Sequence, residues 1–198
     1  QSEQLEERTL KTLRSSPFIK VRMCILATDS NPVRRPFDRD LHFDVKFFQH
    51  LDKRIQDLCD LGIQADLILF HPYDRVGYGN LSTELNERYV RYVVARYAAY
   101  SNVWWSIANE YDLVKTKRQP EWDDFFRIVE ESDPYGHLRS IHYSKVFYDY
   151  GKPWVTHLSL QSDKFEKTPE WQAGYGKPIV YDECKYEGNI PKRWGNIS

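Results

Sequence analysis

The chain is expected to adopt an α/β fold built on a parallel sheet. Two observations carry that expectation. Six short apolar segments alternate with charged, helix-patterned segments along the 198 residues. The apolar segments are nearly continuous, as strands buried on both faces are, and they lack the alternation of a half-exposed sheet.

The elements follow in order. Residues 2–16, SEQLEERTLKTLRSS, read as a charged helix closed off by Pro17. Residues 18–26, FIKVRMCIL, form the first strand, and a polar loop with two prolines fills 27–40. A helix over 45–61 sets Phe48, Leu51, Ile55 and Leu58 on one face, with Gly62 where a helix ends. Residues 64–70, QADLILF, form the second strand. A helix over 83–100 carries a stripe of Leu85, Tyr89, Tyr92, Arg96 and Tyr100, in which Arg96 buries its stem and keeps its head wet. NVWWSIA, 102–108, is the third strand, and its alternation turns one of Trp104 and Trp105 inward and the other toward the helices. Pro120 suits the first turn of a helix with Trp122, Phe125, Phe126 and Val129 on one face. LRSIH (138–142) and WVTHLSLQ (154–161) are short strands. A helix over 168–175, the strand PIVYDE (178–183) and a loop-like tail complete the chain.

Composition removes several classes of function. Hydrophobic residues make up 41 %, so the chain is not disordered. Its 28 basic and 29 acidic residues leave a net charge of −1, with no basic excess for nucleic acid. No apolar run approaches the roughly 20 residues that cross a membrane, and none reads as a secretory signal. Cys24, Cys59 and Cys184 are far apart and lack metal-ligand spacing, which suggests reduced, mostly buried thiols and a cytoplasmic setting. Six Trp and 14 Tyr supply rings that build cores and also stack on sugar faces.

In parallel α/β folds chemistry gathers at the carboxyl ends of strands. The strands here carry or end in Arg22, His71-Pro72-Tyr73-Asp74, Asn109-Glu110, His142, His157 with Gln161, and Asp182-Glu183. Glu110 and Glu183 are two carboxylates on two strand ends. Such a pair across a cleft is what glycoside hydrolysis uses, one as proton donor and one ionised. Arg22 beside Glu183 is expected to keep that carboxylate ionised, and a less polar wall such as Trp105 is expected to favour the protonated form of Glu110.

SIANEYD followed by PIVYDECKYEG resembles clan A of the glycoside hydrolases, nearest to the family 5-like retaining β-glycosidases. KVRMC, LFHPYD and VTHLS are similar to further motifs of that clan, in the same order. The resemblance implies an incomplete TIM-type (β/α) barrel, one domain over 1–198 with about six parallel strands and no counterpart of the first and last barrel strands. It implies Glu110 as acid/base, Glu183 as nucleophile, Asn109 on the sugar 2-hydroxyl, and Arg22, His71 and His157 in support. The tryptophan that floors the sugar site in such enzymes has no direct counterpart, leaving Trp194, Tyr186 or Trp154 to replace it. A tyrosine common two residues after the strand-six histidine is Ser159 here. No cofactor or metal is implied. The expected partners are a carbohydrate substrate and a second copy of the chain covering open sheet edges. Two other readings stand beside this one. One is a metal-dependent hydrolase using His71, Asp74, His142, His157 and Asp182. The other is a sugar-binding or assembly module without turnover.

Overall fold

A computed structural model describes residues 3–26, 35–38, 40–74 and 76–185. Tyr186 and Trp194 lie outside the described residues. The order is α1 (Glu3–Arg14), β1 (Lys20–Cys24), α2 (Val45–Asp60), β2 (Gln64–Phe70), α3 (Thr83–Tyr97), β3 (Val103–Ala108), α4 (Gln119–Ser132), β4 (Arg139–Ser140), β5 (Leu158–Gln161), α5 (Thr168–Tyr175) and β6 (Ile179–Glu183).

Strands β1 to β4 lie side by side in chain order, all parallel, and β5 pairs in parallel with β6. A parallel bridge between His142 and Ser159 joins the two groups. Each strand therefore neighbours the next one in sequence, the winding of a (β/α) barrel. The sheet also curls. Lys20 on β1 hydrogen-bonds Asp182 on β6, so the inner faces of the two outermost strands meet. Among the described residues the architecture is the expected incomplete barrel of six parallel strands.

The helical layer closes over the outer face. Phe48, Leu51, Ile55 and Leu58 of α2 are all buried, as their spacing predicts. Asp44 caps that helix by accepting from the backbone N–H groups of Lys46 and Phe47. Trp122, Phe125, Phe126 and Val129 of α4 are buried as a set. The stripe on α3 is rotated from the expected one: Tyr89, Val90, Val93, Val94 and Tyr97 form the buried face. Arg96 flanks it and grips Asp52 of α2 through two bonds of 2.7 and 2.6 Å.

The first, fourth and fifth expected strands are markedly shorter in the structure, the fourth being reduced to Arg139–Ser140. Phe18 and Ile19 precede β1 and are exposed. Residues 151–156 before β5 form a turn and an irregular segment in place of strand. The ammonium of Lys177 closes that turn on the carbonyls of Tyr150 and Lys152, and Pro153 removes a ladder donor there. The thiols differ too: Cys24 is exposed, and Cys59 and Cys184 are partly exposed. Among the described residues no helix is long and apolar enough to cross a membrane.

Candidate active site

At the end of β3 the backbone is fastened on both sides. The Asn109 N–H donates to the carbonyl of Phe70, at the end of β2 (2.9 Å). The Tyr111 N–H donates to the carbonyl of His142, just past β4 (2.9 Å). Glu110 lies between these anchors in the left-handed region, at φ 46° and ψ 54°. That conformation costs a non-glycine residue about 1–2 kcal/mol, and such strain persists where its surroundings over-determine it. The Glu110 N–H donates to Nδ1 of His142 (3.3 Å). The turn aims a nearly buried carboxylate across the top of the sheet.

That carboxylate has two donors. The Tyr73 hydroxyl donates to Oε2 of Glu110, and the Asn109 amide donates to the same oxygen (3.3 Å). The other end of the Asn109 amide accepts from the Arg22 guanidinium (3.2 Å). Arg22 thus orients Asn109, and Asn109 bonds Glu110. The Arg22 Nε faces Asp66 at 3.4 Å and Asp182 at 3.9 Å. Arg22 stands beside Asp182, one residue short of Glu183, the partner that the sequence predicts for it.

The tip of β6 carries two carboxylates, made possible by a register irregularity. Leu160 pairs with Tyr181, but Gln161 pairs with Glu183, so Asp182 is an extra residue on that strand. A bulge breaks the strict alternation of strand side chains. Both groups consequently meet residues of the inner face. Asp182 accepts from Lys20 and Ser159, while Oε2 of Glu183 stands 4.0 Å from Nε2 of His142.

Below the tips lies a buried charge layer. Lys20 contacts Asp66 (3.1 Å) and Asp182, and Arg22 faces the same two carboxylates. Burial pushes the Asp66 carboxyl up against the pull of Arg22 and Lys20. Asp182 is also buried, but Arg22 and Lys20 outweigh that and hold its carboxyl below the ordinary range. Burial, with Arg22 behind it, pushes the His142 imidazole down to about 3, so it is neutral near pH 7.

A family model for the apiosidase-like catalytic domain matches residues 10–197. The chain belongs to that family. A provisionally assigned glycoside hydrolase from Bacteroides vulgatus ATCC 8482 shares 41 % identity over the whole chain, with a TM-score of 0.92. The chain spans only 44 % of that protein's length. A family 5 glycoside hydrolase from the same organism matches at 17 % identity, covering 97 % of this chain and 47 % of its own, with a TM-score of 0.74. An endo-1,4-β-D-mannanase from Thermotoga petrophila RKU-1 matches at 15 % identity over 98 % of this chain and 77 % of its own, with a TM-score of 0.68. Both of these show the fold. Among curated proteins none matches the chain.

In this apiosidase-like domain three of the expected site residues stand elsewhere. His157 directly precedes β5, and Leu158 pairs with Ile179, so Glu183 lies about four residues, roughly 13 Å, farther along the sheet. His157 packs edge-on against Trp104 (5.3 Å), near Lys20, and burial pushes its imidazole down to about 4. Trp105 faces the helices, where its indole N–H donates to Asp133 (3.0 Å) at the end of α4. It cannot wall Glu110, and Trp104 is the ring that turns inward. Trp154 is held on the outer side between Arg127 and Lys152. His71 is at the right end, but backbone takes both its nitrogens: Nε2 donates to the Leu26 carbonyl (2.9 Å) and Nδ1 accepts from the Tyr73 N–H (3.1 Å). It shapes the turn that delivers Tyr73 to Glu110.

The metal-ligand types named from the sequence do not converge. Asp74 accepts from the N–H groups of Val76, Gly77 and Gly79. Among the described residues the one close trio of such donors is Asp38, Asp40 and His42, all exposed. A cavity of about 470 Å³ opens at the opposite end of the strands, lined by Trp104, Tyr135 and His137 among others. It is remote from both glutamates and belongs to the bottom of the barrel.

Sequence reasoning missed three contributors. Tyr73 sits inside LFHPYD, two residues after His71. His142 stands at an expected strand end, but nothing in LRSIH marks it as part of the site. Asp112, two residues after Glu110, accepts from the N–H groups of Ser144, Lys145 and Val146 and so pins the loop after β4 (2.7, 2.9 and 3.1 Å).

Proposed function

We propose that this apiosidase-like domain hydrolyses β-linked glycosides with retention of configuration. The observation that carries the proposal is the joint placement of Glu110 and Glu183 at the carboxyl ends of the strands, one on each side of His142.

Glu183 is the nucleophile. Its carboxylate attacks the anomeric carbon while the bond to the leaving oxygen breaks and Glu110 transfers its proton to that oxygen. In the second half Glu110, now a carboxylate, takes a proton from water. The water oxygen attacks the anomeric carbon, and Glu183 leaves as a carboxylate. Tyr73 and Asn109 hold the Glu110 carboxyl in place through both halves. The Asn109 amide, held by Arg22 beside Glu110, is suited to a hydroxyl next to the anomeric carbon. No cofactor enters this scheme.

The family's name makes an apiosyl linkage the first to try, followed by gluco-, galacto-, manno- and xylosides. The test is hydrolysis of a panel of aryl β-glycosides by the purified protein and by Glu183→Gln. Turnover in the parent with a loss of several orders of magnitude in the variant supports the proposal. Equal, negligible rates in both would sink it.

The outer edges of β1 and β6 are apolar strand edges, and exposed Phe18 and Ile19 adjoin the first. We propose that a second copy covers them. A clean monomer by light scattering at micromolar concentration would count against this.

A further inference from the structure

We infer that His142 is a positioning residue for both carboxylates. Its Nδ1 fixes the turn at Glu110, and its Nε2–H is the donor that steadies Glu183 as the site fills. The inference rests on the reaction proposed above and deepens it.

Residue 142 holds Glu110 from three directions. Its N–H donates to the Ala108 carbonyl (2.9 Å), and its carbonyl accepts from the Tyr111 N–H (2.9 Å). Its ring accepts from the Glu110 N–H itself (3.3 Å). A backbone N–H can only donate, so Nδ1 carries no proton there. A neutral imidazole has one ring proton, which must then reside on Nε2. The ring is fully buried, and Nε2 has no hydrogen-bond partner among the described residues.

A buried donor without a partner is unfavourable. His71 shows how this fold treats an ordinary buried histidine, since both its nitrogens are bonded to backbone. His142 differs in that its remaining N–H points toward a carboxylate 4.0 Å away. Hydrogen bonds of catalytic groups commonly tighten when substrate binds. Closing the gap by about 1 Å brings the pair within normal range.

The charges around the ring suit a neutral donor. Arg22 and Lys20 from β1 oppose a cation, and Asp182 from β6 and Asp112 after β3 favour one. Glu110 and Glu183 complete the surroundings. Burial decides the balance in favour of the neutral ring.

The test has two arms. The first is ¹⁵N NMR of the imidazoles in the parent and in Glu183→Gln, which needs no turnover. The expected result is an Nε2–H tautomer of His142 at neutral pH, with an Nε2–H resonance that moves in the variant. A proton on Nδ1, or a resonance that stays put, overturns the inference.

The second arm compares His142→Asn with His142→Gln. Asparagine keeps an acceptor near Nδ1, and glutamine keeps a donor near Nε2. The readout is the burst rate with a dinitrophenyl glycoside, whose leaving group needs no proton and so reports on Glu183 alone. His142→Asn is expected to keep Tm near the parent value and to lose about 100-fold in burst rate. His142→Gln is expected to lower Tm, through the orphaned Glu110 N–H, and to recover most of the rate. Equal rate losses that follow Tm would reduce His142 to a structural residue. A parent inactive on every glycoside sinks the proposed reaction, and the NMR arm still decides the role of His142.

Discussion

The hydroxyl of Tyr73 donates to Oε2 of Glu110, joining the turn after β2 to the turn after β3. Tyr73 is 53 % exposed, so the contact owes little to packing. Tyr73→Phe is therefore expected to leave Tm within about 2 °C, since surface changes are worth about 0.5 kcal/mol or less. It is expected to lower kcat about tenfold or more, because a hydrogen bond to a charged group contributes about 1.5–3 kcal/mol. Steady-state kinetics beside a melting curve checks both halves. Unchanged kcat would remove Tyr73 from the site.

The buried layer of Lys20, Arg22, Asp66 and Asp182 balances two cations against two carboxylates. Removing one member leaves a buried charge uncompensated. Lys20→Met is expected to cost about 3–5 kcal/mol, and the double variant Lys20→Met with Asp182→Leu is expected to cost less than the sum of its parts. Denaturant melts of the two single variants and the double variant measure the coupling. Strict additivity would contradict the network.

His142 and His157 titrate at about 3 and about 4 when folded, against 6.5 when unfolded. Between those values the unfolded chain binds more protons than the native one, so stability rises with pH. It is complete above about pH 6.5 and is lost as pH falls toward 4, at roughly 1.4 kcal/mol per pH unit for each histidine. Melting temperatures from pH 7 to pH 4 test this. Replacing His157 by Asn is expected to flatten the slope, and an unchanged slope would contradict the assignment.

Trp105 is placed in the helical layer by its bond to Asp133. Trp105→Phe is expected to cost about 1–3 kcal/mol from the lost indole bond and the lost volume, while Tyr135 and His137 still bond the Asp133 carboxylate. Its kcat and KM on any working glycoside are expected to match the parent. A selective rise in KM would restore Trp105 to the sugar site.

How much of this was legible in the sequence depends on which physical cause operates. The strands and the two glutamates were readable because an apolar run that ends in Asn-Glu or Asp-Glu breaks its own burial pattern. The face of α4 was readable because Trp122, Phe125, Phe126 and Val129 keep helical spacing. The exchange of His157 for His142 was not readable, because strand register decides it. His157 lies before its strand and His142 just past its own. The joint delivery of Asp182 and Glu183 depends on a bulge, which no residue in PIVYDE announces. The strain at Glu110 is invisible for a similar reason. It is imposed by bonds to Phe70 and His142, which are remote in sequence.

The measurement that tests the central claim most directly is the configuration of the sugar first released, followed by ¹H NMR during hydrolysis of the best β-glycoside. The account predicts the β-anomer first, through a covalent bond to Glu183, and no release by Glu183→Gln. The α-anomer appearing first, or release undiminished in that variant, would contradict it.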